Sequence, residues 1–260
     1  MKTQKHSDTI RHAFTLQADK YAANSTLANP ARLAHLVETV NPSKNSLVLD
    51  VATGPGFVAE AFASVCRMVV GVDITRAPLE IARRHLHKQN HSNLHFQLAD
   101  VGHLPFADAQ FNVVVCRLAV HHFNNPARIL TEMARVCHVN GTVAIEDIIV
   151  SEHSSRASYQ NRFEKLRDPS HTKAQPLTRL LKLFADTGIE IEKVITDSLL
   201  QDVDKWLGNA YTPAKRAAGV KALIERDAKE DLSGTDPFRN NDGRLQFRQR
   251  TAIVVGRKLR

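Results

Sequence analysis

Cysteine and long apolar runs are both scarce in this sequence, and each shortage narrows the reading. The three cysteines, Cys66, Cys116 and Cys137, stand in apolar helix or strand patterns without metal-ligand spacing. They read as reduced core thiols of a cytoplasmic protein rather than as a disulfide framework. No apolar run reaches the length of a membrane-spanning helix, and the polar start MKTQKHSDTIRH has no signal-peptide apolar region. Internal repeats and low-complexity segments are missing too. What is there is a chain of 260 residues, 43% hydrophobic and 24% charged, long enough to bury one core with small cap elements. The formal charge is +8, and residues 201–260 hold 13 Lys and Arg against 8 Asp and Glu. Those charges are scattered among acids, so they read as a solvated surface and no nucleic-acid partner is expected. A cationic rim around an acidic small substrate is the functional alternative.

The chain is organised around Ser46 to Phe57, SLVLDVATGPGF. An apolar run ends on Asp50, a tight turn follows from Ala52 to Gly56, and Phe57, Val58, Ala61, Phe62 and Val65 then recur at helical spacing. This is strand, glycine turn, helix. Such a turn lets backbone N–H groups and a helix N-terminus meet a ligand with no side chain in the way. Asp50 would repel a pyrophosphate but suits a ligand with an ammonium or sulfonium. A second buried strand, Val69 to Asp73, ends on another acid 17 residues after Gly56, near the spacing expected for a carboxylate on ribose hydroxyls.

Further along, helical spacing is predicted over residues 8–22, and over 28–40 with Asn29 as N-cap and Pro30 in the first position. A helix from Ile74 to Asn90 precedes a third strand, Leu94 to Leu98, with Asp100 just beyond it. The fourth strand is Phe111 to Leu118, followed by Ala119-Val120-His121-His122-Phe123. A helix from Asn125-Pro126 to Val136 is expected to close on an Asn140-Gly141 turn. Strand five is Thr142 to Val150, interrupted near its end by Glu146 and Asp147. A helix over Gln175–Thr187, a sixth strand over Ile189–Ile195, helices and loop over 198–243 and a seventh strand over Thr251–Gly256 complete the pattern. The strand–helix alternation predicts an α/β fold with a mostly parallel sheet and helices on both faces. The adjacent histidines are expected to point opposite ways on a strand, with no partner spaced for a metal, so no metal is expected.

Asp50-Val51-Ala52-Thr53-Gly54-Pro55-Gly56 resembles motif I of the class I S-adenosylmethionine (SAM) methyltransferases, acid-x-Gly-x-Gly-x-Gly, with Ala52 in place of the first glycine. The nicotinamide fingerprint fits worse, since it needs glycine at Ala52 and Phe57. Leu104-Pro105-Phe106-Ala107-Asp108 and the run Cys116 to Pro126 are similar to the methyltransferase domain 11 type, and to the ubiquinone and menaquinone C-methylation group within it. The resemblance covers residues 45–150 strongly and the rest weakly. It implies a Rossmann-like seven-stranded sheet, with strand seven antiparallel between five and six, and helical cap elements. It implies SAM as cofactor and S-adenosylhomocysteine (SAH) as product, and cofactor contacts at Asp50, Ala52, Thr53, Gly54, Gly56, Asp73, Ile74, Asp100, Val101, Arg117 and Tyr21, with Asp100 facing the adenine amino group. On the same grounds residues 1–40 are an N-terminal helical lid, 45–150 a SAM-binding core, and 151–175 and 198–248 substrate caps of one domain spanning 1–260.

The acceptor's site is less legible. Phe14, Trp206 and Arg167 are candidate substrate contacts, Arg167 for an anionic group. His171, His121 and His122 are candidate catalytic residues, with Asp168 orienting His171 as a base. The resemblance implies a methyltransferase acting on oxygen or carbon of a small molecule. The alternatives are an RNA or protein methyltransferase using the basic C-terminal part, or a SAM-binding module without transfer activity. Ala119-Val120-His121-His122 stands where base-methylating enzymes of this fold carry Asn/Asp-Pro-Pro-aromatic, and Cys116 follows Val115 where a cytosine-C5 enzyme needs Pro-Cys. A homodimer is compatible with the sequence.

Overall fold

The structure, a computed structural model, describes residues 2–89 and 91–259, with backbone only for residues 2–5 and 87–89. Its elements run α1 (Lys2–Ala22), α2 (Pro30–Val40), β1 (Leu47–Val51), α3 (Phe57–Ala63), β2 (Met68–Asp73), α4 (Arg76–Gln89), β3 (Leu94–Leu98) and β4 (Phe111–Arg117). A 3-10 turn (Val120–His122) leads into α5 (Pro126–Val136), β5 (Cys137–Val150), α6 (Ser154–Arg167), β6 (Gln175–Pro176) and α7 (Leu177–Asp186). The chain closes with β7 (Ile189–Asp202), α8 (Val203–Asn209), α9 (Ala214–Glu230), β8 (Phe238–Arg239) and β9 (Leu245–Lys258). The helix end expected at Asn90 lies outside the described residues.

The sheet order is β3-β2-β1-β4-β5-β9-β7, with β6 beside β5 and β8 beside β9, nine strands where seven were expected. The two extra strands are two residues each, too short for any periodicity to reveal. The first five strands are parallel, and β9 enters antiparallel between β5 and β7 as expected. Alternate residues serve opposite faces, as the pleat demands. Leu49 and Val51 of β1 and Val114 and Cys116 of β4 pack with Leu130 and Met133 of α5 and Phe184 of α7. Val48, Val113 and Val115 pack against Leu36 of α2 and Phe62 of α3. Both faces of the sheet are therefore covered by helices.

Local signals set several boundaries. The Asn29 side chain accepts from Arg32 N at 3.1 Å with Pro30 in the first turn, which starts α2 where expected. The Asn140-Gly141 pair does not cap α5. That helix runs straight into β5, and Asn140 (φ +61°) and Gly141 lie in a bulge where the β4–β5 register shifts between Phe111 and Val113. A Cβ on Gly141 would come within 2.7 Å of Cys137 Sγ and 2.9 Å of the Asn112 carbonyl, so the bulge needs a glycine there. The last long strands also exceed expectation: β7 and β9 pair from Ile189 opposite Lys258 to Asp202 opposite Gln246. In β9 the inward positions include polar Gln249 and Thr251, which hid the alternation. A separate cap core joins Phe163 of α6, Trp206 of α8, Val220 and Ile224 of α9 and Phe247 of β9. Trp206 and Phe247 meet edge-on at 4.9 Å.

Candidate active site

A cleft of about 660 Å³ opens at the carboxyl ends of β1, β2 and β4, the edge where open α/β sheets take ligands. The turn after β1 forms its floor. Asp50 is buried, and its Oδ2 accepts from Thr53 Oγ1 at 2.5 Å and from Ala59 N at 3.1 Å. Burial pushes this carboxyl up to about 7, against the pull of those two donors. Asp73 Oδ2 accepts from Gly54 N at 3.0 Å and its Oδ1 from Thr75 N at 2.8 Å. Its acidity is likewise weakened by burial and partly restored by these N–H groups. Asp100 Oδ1 holds Gly102 N at 2.8 Å. Thus Asp73 and Asp100 also clamp the backbone of a turn, and Asp50 ties the turn's Thr53 hydroxyl to the backbone of α3.

The turn's conformation explains its glycines. Gly54 has φ +55° and a Cβ there would meet nothing within 4 Å, so the open space above it belongs to the cleft. Gly56 has φ +89°, and a Cβ would lie 2.7 Å from Phe96 Cζ, so packing as well as conformation selects it. Ala52 takes φ +58°, the left-handed region its family counterpart fills with glycine. The departure from the motif changes the residue and leaves a left-handed backbone.

Arg117, at the end of β4, is buried. Its Nε donates to Glu146 Oε2 at 2.6 Å and its Nη1 to the Leu27 carbonyl at 3.0 Å, while Nη2 has no partner among the described residues. Glu146 also accepts from Arg32 Nη2 at 3.2 Å. The acids interrupting strand five are therefore clamps: Glu146 stands opposite Arg117 in the β4–β5 register, and Asp147 holds His121. Leu118 follows at φ +52° and turns the chain out of the sheet. Phe14, Tyr21, Ile74 and Val101 complete the cleft with His6 and Ile10 of α1. Phe14 lies edge-on to Tyr21 at 5.3 Å and to His122 at 5.0 Å. His6 Nε2 bonds the His122 carbonyl at 2.8 Å, tying α1 across the cleft.

A smaller annex of about 70 Å³ adjoins the cleft, sharing Tyr21, Leu27, Leu118 and His122 with it. His121 and His122 lie on the 3-10 turn rather than a strand, so their rings do not point opposite ways. Their centroids are 4.2 Å apart. His121 Nδ1 donates to Asp147 Oδ1 at 2.5 Å, and Asp147 also accepts from the backbone N–H groups of His121 (3.2 Å) and Ile148 (2.6 Å). Burial opposes the charged form of His121, but Asp147 outweighs it and raises the imidazole above its ordinary value. The Ser170 hydroxyl gives its single proton to Asp168 Oδ1 at 2.6 Å, so its 3.1 Å contact with His122 Nδ1 has the imidazole donating. Burial and His121 lower His122 to about 3, so the ring is neutral near pH 7, and its Nε2 has no partner among the described residues.

The expected Asp168–His171 pair does not form. Asp168 is engaged by Ser170, and His171 Nε2 donates to Asn161 Oδ1 at 2.8 Å. Burial and the neighbouring imidazoles depress His171 strongly, so it does not protonate near neutral pH. Its side chain lines the annex and not the cleft. Arg167 is also engaged: its Nε donates to the Trp206 carbonyl at 3.0 Å and its guanidinium lies 4.4 Å from the Trp206 ring centre. Trp206 belongs to the cap core and lines the annex as well. Asp147 and Glu146 escaped assignment to the site, although two acids inside an apolar strand were the available signal. Among the described residues no group of three or more His, Cys, Asp or Glu is placed to hold a metal.

A parallel sheet ending in acids, a left-handed glycine turn and an open cleft above it define a Rossmann-like nucleotide-cofactor enzyme. Residues 49–145 match the family described as "Methyltransferase domain". The chain is 28% identical over 246 residues to an uncharacterised methyltransferase of Bacillus subtilis, YcgJ, covering 94% of this chain and 97% of that one. The crystal structure of YcgJ superposes with a TM-score of 0.83 over 88% of this chain and 98% of that chain, at 26% identity. A ubiquinone biosynthesis O-methyltransferase of Thiobacillus denitrificans is 33% identical over 115 residues, 44% of this chain and 49% of that enzyme. The protein is a class I SAM-dependent methyltransferase.

Proposed function

We propose that the chain methylates oxygen or carbon of a small molecule, with SAM in the cleft and the reacting part of the acceptor in the annex. The observation that carries this reading is convergence. Tyr21 and Asn24 from the N-terminal segment, Glu164 and Arg167 from α6, and Leu199 and Trp206 from the segment around α8 all line one small annex against the cleft wall. Bound SAM supplies an electrophilic methyl group on a sulfonium.

The residues present fit that cofactor. Asp73, Asp100 and Arg117 line the cleft, where Asp73 would take ribose hydroxyls, Asp100 the adenine amino group, and the Nη2 of Arg117, unpartnered among the described residues, a carboxylate. The open space over Gly54 admits a ligand against bare backbone. A methyl acceptor needs its nucleophile held in line and water excluded, and no covalent enzyme nucleophile. An annex of this size takes a compact reacting group. The partial likeness to an O-methyltransferase supports oxygen as the acceptor atom. Ala52 keeps the left-handed turn, so the motif departure gives no support to a binding-only module. Incubation with SAM and a panel of small hydroxylated and carbon-acid metabolites tests the reading: SAH release supports it, and SAM binding without release from any of them counts against it.

A further inference from the structure

We propose that the annex is an ammonium site: the compact part of the acceptor that enters it carries a protonated amine, held by Asp168 and Glu164, beside the oxygen or carbon that receives the methyl group. This rests on the methyltransferase reading and deepens it by naming the acceptor's charge. Glu164 in the last turn of α6 and Asp168 at its C-cap stand four residues apart, and both are buried in the annex wall. Like charges at that spacing repel, and burial removes the water that would screen them.

Asp168 is half satisfied. Ser170 takes its Oδ1 with the backbone N–H at 2.8 Å and the hydroxyl at 2.6 Å, whereas Oδ2 has no partner among the described residues. A buried carboxylate oxygen without a donor is costly, and an N–H of a bound cation would satisfy it. Burial opposes the charge on Asp168, but the His122 imidazole, the Ser170 donors and Arg167 outweigh burial and hold this carboxyl below its ordinary value. Glu164 accepts from Gln249 Nε2 at 2.6 Å. Burial raises its carboxyl above the ordinary value, against the pull of Arg167 and Gln249, and a cation beside it would favour the charged form.

The protein's own cations do not balance this pair. Among the described lining residues Arg167 is the only Lys or Arg, and it is committed to Trp206 through its Nε at 3.0 Å and by stacking at 4.4 Å from the ring centre. Lys165 Nζ donates to the carbonyls of Pro169 and His171. A charge on His121 is matched by Asp147. An anionic group would therefore meet two acids, and a cationic one completes the site. The annex volume of about 70 Å³ is roughly two water volumes of about 30 Å³ each. That admits an ammonium with one or two carbons and excludes a ring. A protonated amine has no lone pair with which to attack the methyl carbon, so the nitrogen anchors and the neighbouring oxygen or carbon reacts.

The test compares three compounds of similar shape and different charge on the full chain saturated with SAH. Ethanolamine, ethylene glycol and glycolate are titrated calorimetrically near neutral pH at constant ionic strength. Ethanolamine should bind at least about tenfold more tightly than either of the others. Asp168→Asn keeps the oxygen that Ser170 holds and replaces the bare one by an amide. It should lower ethanolamine affinity by about tenfold or more, and Glu164→Gln should act in the same direction. Both residues line the annex and not the cleft, so SAH affinity should be unchanged in the two variants, which also shows that they fold. Equal binding of the three compounds, preference for glycolate, no binding of ethanolamine, or full ethanolamine affinity in both variants overturns the inference, while SAH binding leaves the methyltransferase reading intact. With SAM in place of SAH, a methyl group found on the ethanolamine nitrogen also overturns it. Failure of the parent to bind SAH would instead strike the methyltransferase reading.

Discussion

Replacing Asp50 by asparagine should flatten the pH dependence of the cofactor-free protein's stability. Both donors to Asp50, Thr53 Oγ1 and Ala59 N, use the same oxygen, so an asparagine oxygen can accept both without the charge. The native carboxyl titrates at about 7 and an unfolded one at 3.8. The native state thus holds a proton that the unfolded chain has already released between those values. Stability from this group is greatest below pH 4 and is lost as pH rises through 7, the reverse of a salt-bridged carboxylate. At about 1.4 kcal/mol per unit, the loss is roughly 3 kcal/mol between pH 5 and 8 and roughly 4 kcal/mol over the whole range. Urea unfolding of parent and Asp50→Asn at half-unit steps from pH 5 to 8.5 measures it, and the difference between the two curves removes every other titrating group. Parallel curves would refute the assignment of a buried, proton-binding Asp50.

Three further outcomes follow from the same contacts. Ala52→Gly should raise stability by about 0.5–1 kcal/mol, since relief of a left-handed alanine outweighs the added freedom of the unfolded chain; thermal melting checks it. Glu146→Ala should cost about 3–5 kcal/mol in urea unfolding, because it strands the buried Arg117 guanidinium. Asp73→Ala should weaken SAM binding by about 1–3 kcal/mol in calorimetry, and unchanged affinity would mean the ribose is held elsewhere.

Much of the parallel half was readable because β1, β2 and β4 are apolar runs with a charged residue at or beside their ends, and Asn29-Pro30 announced its helix. Other parts were read short, for two reasons. Gln249 occupies an inward position of β9, so polarity masked the strand's first half and only Thr251–Gly256 was predicted, and Asn140-Gly141 marks a bulge in β5 with the same dipeptide that would mark a helix cap. At the site, a motif named the backbone turn, whose chemistry is local in sequence. The histidine partners are not local: Asp147 is 26 residues from His121 and Ser170 is 48 from His122. The apparent neighbours Asp168 and His171 diverge because Ser170 between them takes Asp168 Oδ1 with both its N–H and its hydroxyl, while the His171 ring turns to Asn161. Spacing along the chain suggested a pair that the fold spends on other bonds.

Calorimetric titration of the parent and Gly54→Val with SAM, SAH and NAD tests the central claim most directly. The parent should bind SAM and SAH at one site and NAD negligibly. The valine variant should keep its fold by circular dichroism and lose both ligands, because a β-branched residue resists φ +55° and its side chain would enter the cleft. Comparable NAD binding by the parent, or normal SAM binding by the variant, would contradict the account.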